Sequence, residues 1–95
     1  MWISSCSREL AQGTLKDTYE KLDAGFPSEY HTPVPTLRRP NGNSDSIVEA
    51  HSLFPELMFH LFSAFQFLTR SEMPLSRREQ ELVHTLVSRL NSCHY

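Results

Sequence analysis

A chain of 95 residues, 39% hydrophobic and 21% charged, fits one small domain near the lower limit at which a single core holds itself together. A net charge of −2 and a pI near 6.2 supply no attraction for nucleic acid or an anionic membrane, so neither is expected as a partner. No apolar run approaches the ~20 residues that span a bilayer.

The first residues, Met1-Trp2-Ile3-Ser4-Ser5-Cys6-Ser7-Arg8, lack a basic region followed by a long apolar stretch, so they are not a secretory signal. Cys6 and Cys93 are too few for a disulfide scaffold and too far apart for a Cys-x-x-Cys pair, so a reducing, cytoplasmic setting is expected. Leu15, Tyr19 and Leu22 recur at helical spacing, and this predicts a helix over residues 15–24. Thr14 and Asp17 have the spacing of a capping box with Asp in place of Glu. Gly25 and Pro27 end that helix, glycine by allowing a left-handed turn and proline by breaking the hydrogen-bond ladder.

Residues 26–44 contain Pro27, Pro33, Pro35, Pro40 and Gly42 and read as an irregular loop, long for a compact domain. Arg38-Arg39 within it, and Arg77-Arg78 later, read as solvated surface pairs. A short helix is expected next, beginning at Asp45 or Ser46 and carrying Ile47, Val48 and Ala50. Pro55 suits the first turn of a further helix, where no amide hydrogen is needed. Leu57, Met58, Leu61, Phe62, Ala64, Phe65 and Leu68 form its apolar stripe as far as Thr69, and Phe59 and Phe67 widen the stripe. Such a helix is expected to be covered on two sides, by another helix and by another subunit.

Pro74-Leu75-Ser76 opens the last helix, with Ser76 and Glu79 at capping-box spacing and Leu82, Val83, Leu86, Val87 and Leu90 as its expected buried face. No alternating strand-like run and no internal repeat interrupts this pattern, so the class is all-α. His31, His51 and His60 lack metal-ligand spacing, and Cys93-His94 with His84 is too sparse for a zinc site. No metal or other cofactor is expected.

Glu81 stands twelve positions before Cys93 on this capped amphipathic segment, and the last residue is Tyr95. The spacing resembles the approach to the Cys-x-x-Cys centre of alkylhydroperoxidase D-like proteins, also called the carboxymuconolactone decarboxylase-like family. Ile47-Val-Glu-Ala-His-Ser-Leu-Phe-Pro-Glu-Leu57 is similar to a segment of the peroxidase-related branch with a His-Ser-Leu-x-Pro core. Leu75-Ser-Arg-Arg-Glu-Gln-Glu-Leu-Val83 and Val87-Ser-Arg-Leu-Asn91 are similar to the helix that follows it. Together these stretches span about half of the chain.

The resemblance implies the N-terminal part of an alkylhydroperoxidase D-like helical domain, a single incomplete domain over residues 1–95. It implies reduction of hydroperoxides by thiol chemistry, an antioxidant activity of peroxiredoxin type, with electrons from a dithiol donor and neither metal nor haem. Glu81 matches the glutamate of the proton relay, and Cys93 matches the first cysteine, which acts as the resolving thiol. The peroxide-attacking cysteine and the relay histidine have no counterpart in this sequence, so the chain alone is expected to be inactive. The family also implies a homo-oligomer of helical subunits. A different class of function stays open beside it: a non-enzymatic helical module for oligomerisation or interaction, whose support is the double-sided stripe of residues 57–68.

Overall fold

The computed structural model describes residues 3–32, 34–35 and 47–93. Among them the chain is all-α, with α1 (Gly13–Gly25), α2 (Pro55–Leu68) and α3 (Arg77–Leu90), and with 3₁₀ turns at Arg8–Leu10, Ser28–His31 and Glu49–His51. No described helix is long and apolar enough to cross a membrane.

α1 and α2 pack against each other and carry the core. Leu22 and Met58 are fully enclosed, Ala11, Tyr19 and Val48 are buried beside them, and Cys6, Leu15, Phe26 and Phe62 are partly buried against the cluster. Enclosing Leu22 and Met58 contributes about 1.5–3 kcal/mol each. The segment before α1 is strapped over this core by polar contacts. The Tyr19 hydroxyl donates to the Cys6 carbonyl at 2.7 Å, and the Cys6 amide donates to Ser52 Oγ at 2.8 Å. Arg8 lies over the Tyr19 ring and pairs with Asp23. Burial, reinforced by the Glu49 carboxylate, pushes the Tyr19 hydroxyl up to about 12, so it remains a donor across the neutral range.

The start of α1 differs from the sequence expectation. The helix begins at Gly13, whose φ of +55° favours glycine, and Gln12 before it provides no side-chain cap. Thr14 therefore lies inside the helix, where its carbonyl accepts from the Thr18 hydroxyl at 2.8 Å, and the Thr14–Asp17 capping box does not form. Gly25 also has a different role from the one expected. It is the last helical residue and has no left-handed φ. A Cβ at this position would collide with the Gln66 amide, which crosses from α2 and donates to the Leu22 carbonyl at 2.7 Å. The glycine permits close approach of α2 rather than a turn.

Within the expected loop over residues 26–44, Ser28–His31 form a 3₁₀ turn; residue 33 and residues 36–46 lie outside the described residues, as do Arg38, Arg39, Asp45 and Ser46. Where the short helix was expected, Ile47 is exposed, Val48 is buried and Glu49–His51 make a single 3₁₀ turn. α2 begins at Pro55 and ends at Leu68, as its sequence predicts.

α3 begins with both halves of the expected capping box: the Glu79 amide donates to Ser76 Oγ, and the Ser76 amide donates to Glu79 Oε2 at 2.8 Å. The Ser76 hydroxyl and then its amide hold the Glu79 carboxyl below the usual carboxylate range. Its packing, however, is the reverse of the expected one. Leu82, Val83, Leu86, Val87 and Leu90 are 51–76% exposed. The face turned toward the rest of the chain carries buried Gln80 and half-buried Arg77, Glu81, His84 and Ser88. The stripe on α2 is covered on one side only: Met58 is enclosed and Phe62 and Phe65 are partly buried, while Phe54, Leu57, Leu61 and Leu68 are exposed.

Gly25→Ala should destabilise the chain by about 1–3 kcal/mol in chemical denaturation, because the new methyl displaces the Gln66 amide and leaves the Leu22 carbonyl without that donor. In a Gln66→Ala background the same substitution should cost far less. Equal costs in both backgrounds would exclude this contact as the cause.

Candidate functional site around Glu81

Glu81 lies in the second turn of α3, on the inward polar face. Arg77, one turn earlier, places Nη2 2.8 Å from Glu81 Oε1, the i,i+4 pairing that a helix allows. The Tyr30 hydroxyl, brought in by the 3₁₀ turn after α1, donates to the same oxygen at 3.2 Å. The Arg77 guanidinium also lies over the Tyr30 ring, 4.9 Å from its centroid, so one arginine serves both partners of the carboxylate. On the other oxygen, Oε2, His84 Nδ1 stands 3.7 Å away. The His84 ring rests against Phe65 of α2 at 5.6 Å, and the Tyr30 ring rests against Phe26 at 5.7 Å.

The result is a half-buried carboxylate with two donors on one oxygen and an imidazole facing the other. His84 Nδ1, at 3.7 Å from Oε2, is beyond direct hydrogen-bond reach, so the imidazole faces the carboxylate without bonding to it. Burial raises the Tyr30 hydroxyl above its ordinary range, and the Glu81 carboxylate adds to the shift. Arg77 is therefore a structural partner and not the solvated residue its sequence suggests; Arg78 remains exposed. Sequence spacing could have paired Arg77 with Glu81. Tyr30, 51 positions from Glu81, carries no local signal of its role.

Cys93 does not join this group. α3 ends in a Schellman turn in which the Cys93 amide donates to the Ser88 carbonyl at 2.9 Å and the Ser92 amide to the Arg89 carbonyl at 3.2 Å. Ser92 has a φ of 51°, the left-handed conformation that such a turn requires and glycine would adopt without strain. The thiol is exposed just past the helix, and at 1.5 Å per residue it lies about 15 Å or more from Glu81. Cys6 sits by the α1–α2 core, and neither cysteine is in a disulfide. Thus Cys93 lies past the end of α3, and of the two sequence-predicted site residues Glu81 is the one that stands beside Arg77, Tyr30 and His84.

Gln80 fixes the same face from beneath. Its Nε2 donates to the Leu75 carbonyl at 3.2 Å and the Arg70 carbonyl at 3.5 Å, holding the α2–α3 connection, while its buried Oε1 has no hydrogen-bond partner. Among the described residues, no group of three or more His, Cys, Asp or Glu is placed to hold a metal ion. A shallow, open recess lined by Leu53, Phe54, Pro55, Glu56, Leu57 and His60 lies apart from the Glu81 network. No family model, curated protein or solved structure matches this chain.

Because the folded Tyr30 hydroxyl is raised, its contribution to holding α3 is complete below about pH 10, the ordinary tyrosine value, and is lost as pH climbs through the higher folded value. Thermal unfolding midpoints should fall through that alkaline window and fall less steeply in Tyr30→Phe; an identical slope in the variant would remove Tyr30 as the titrating group. Ser92→Gly should stabilise the end of α3 by up to about 1 kcal/mol, read from denaturation midpoints, and a loss of stability would contradict the left-handed turn.

Proposed function

We propose that this chain is a portion of an alkylhydroperoxidase D-like thiol peroxidase of the peroxidase-related branch, and that it supplies the relay carboxylate, Glu81, and the resolving-type thiol, Cys93. The observation that carries this reading is the setting of Glu81, anchored by Arg77 and Tyr30 on one oxygen and open to His84 on the other. A proton relay needs a carboxylate held in one orientation near a second titratable group; Arg77 and Tyr30 supply the first requirement for Glu81, the Tyr30 bond coming from outside its own helix, and His84 is the neighbouring titratable group.

In the complete reaction, a thiolate attacks the peroxide O–O bond, becomes a sulfenic acid and releases an alcohol or water. The resolving thiol then condenses with the sulfenic acid to a disulfide, releasing water, and a dithiol donor reduces the disulfide. Cys93 is assigned the resolving step. Residues 1–95 hold no cysteine in Cys-x-x-Cys register with it, and this reading therefore expects no turnover from these residues by themselves. The setting that goes with this chemistry is cytoplasmic, and the fold that goes with it is the alkylhydroperoxidase D-like one.

The 95-residue chain, supplied with an organic hydroperoxide and a dithiol donor, should consume peroxide no faster than a Cys93→Ser variant. Turnover that Cys93→Ser abolishes would contradict the inactivity of the chain. Loss of stability no greater in Glu81→Gln than in an exposed-surface control such as Glu72→Gln would remove the support drawn from the Glu81 network.

A second reading is favoured by a separate observation. The exposed aliphatic face of α3 and the half-covered stripe of α2 support a non-enzymatic, self-associating helical module. Homo-oligomerisation is compatible with either reading.

A further inference from the structure

α3 faces the rest of its own chain with polar residues, which leaves its aliphatic stripe exposed. α2 presents a matching face. Phe54, Leu57, Leu61, Ala64 and Leu68 follow one another in steps of three and four, the spacing of a single helix-packing seam, and all five are exposed. Four of these five, together with Leu82, Val83, Leu86, Val87 and Leu90, are large apolar side chains exposed by 48–76%. Summed over the two helices, nine such side chains offer on the order of 700 Å² of apolar surface, close to the ~800 Å² that each partner contributes to a stable interface.

Charge identifies the occupant and its direction. Between Pro55 and Leu68 the one acidic residue is Glu56, in the first turn of α2, with no Lys or Arg beside it and His60 as the one basic group, and the last turn of α3 carries Arg89. An antiparallel meeting of α2 with α3 of another molecule sets Glu56 against Arg89 and opposes the two helix dipoles favourably. The seam residues Phe54, Leu57, Leu61, Ala64 and Leu68 are themselves uncharged, and the like charges Arg70 and Arg77-Arg78 meet only beyond the end of the seam. A two-fold arrangement uses the contact twice, since α3 of each molecule covers α2 of the other.

We propose that a second copy of this chain occupies these faces, through two symmetry-related antiparallel α2–α3 pairings centred on Leu61 and Leu86. The pairing rests on the self-association reading above and adds to it the surfaces, the orientation and the charge pair. It leaves the Glu81 network, on the opposite face of α3, uncovered by the partner.

Sedimentation equilibrium of the full chain tests this. Wild type should sediment as a dimer. Leu61→Glu and Leu86→Glu, each at a half-exposed position, should each sediment as a monomer with an unchanged far-UV circular dichroism spectrum. Glu56→Arg and Arg89→Glu should each raise the dimer dissociation constant about threefold to tenfold, and the double variant should restore it. A monomeric wild type would overturn both self-association and this pairing. A dimer that survives Leu61→Glu or Leu86→Glu would overturn the pairing alone, and a double variant as weak as the singles would overturn the antiparallel orientation. The two charge variants keep the test decisive if either glutamate substitution unfolds the chain.

Discussion

The orientation of α3 governs the rest of the structure. This helix meets its own chain through Arg77, Gln80, Glu81 and His84, and presents its five branched aliphatic residues outward. The arrangement has an identifiable cost, because the buried Gln80 Oε1 lacks a hydrogen bond, a deficit of about 1–3 kcal/mol. It also forgoes the burial of Leu82, Leu86 and Leu90, worth about 1.5–3 kcal/mol for each side chain fully enclosed. Polar contacts within the chain, one of them the Arg77–Glu81 pair at half-exposed positions, are individually modest. Under the proposed pairing the outward face is covered as well, which offsets these costs and would link the docking of α3 to association.

The same orientation creates the environment of Glu81. If the aliphatic stripe faced inward, Glu81 and His84 would be solvated helix residues, and Tyr30 would have no carboxylate to donate to. With the polar face inward, three elements converge on one carboxylate: the 3₁₀ turn after α1 through Tyr30, α2 through Phe65 behind His84, and α3 itself through Arg77. The α1–α2 core supports that convergence at a distance. Gly25 lets Gln66 reach the Leu22 carbonyl, which draws the end of α1 against α2 and sets where the turn carrying Tyr30 leaves. Cys93 stands outside this group at the far end of the helix, in a Schellman turn that exposes its thiol.

Local chemistry made much of the fold legible. Ser76 and Glu79 announced the start of α3 because a capping box is satisfied within four residues, and Pro55 announced the start of α2 for the same reason of scale. The face containing Tyr19 and Leu22 was readable because α1 packs in the ordinary way, apolar side inward. The stripe on α3 misled because periodicity identifies an apolar face without specifying what covers it. Thr14 and Asp17 misled because Gly13, in a left-handed conformation, starts α1 earlier than a side-chain cap would. In the site, Glu81 was picked out by its spacing from Cys93, whereas its partner Tyr30 is brought near by tertiary packing that no local pattern encodes.

The most direct measurement of this arrangement is the set of nuclear Overhauser contacts made by α3, separated into intramolecular and intermolecular ones by mixing labelled and unlabelled chains. Polar-face docking predicts intramolecular contacts between the rings of His84 and Phe65 and between Tyr30 and the Arg77 side chain, with the methyl groups of Leu82, Leu86 and Leu90 in contact only across molecules. Intramolecular contacts from the Leu86 methyls to Met58 or Phe62, with none between His84 and Phe65, would contradict it.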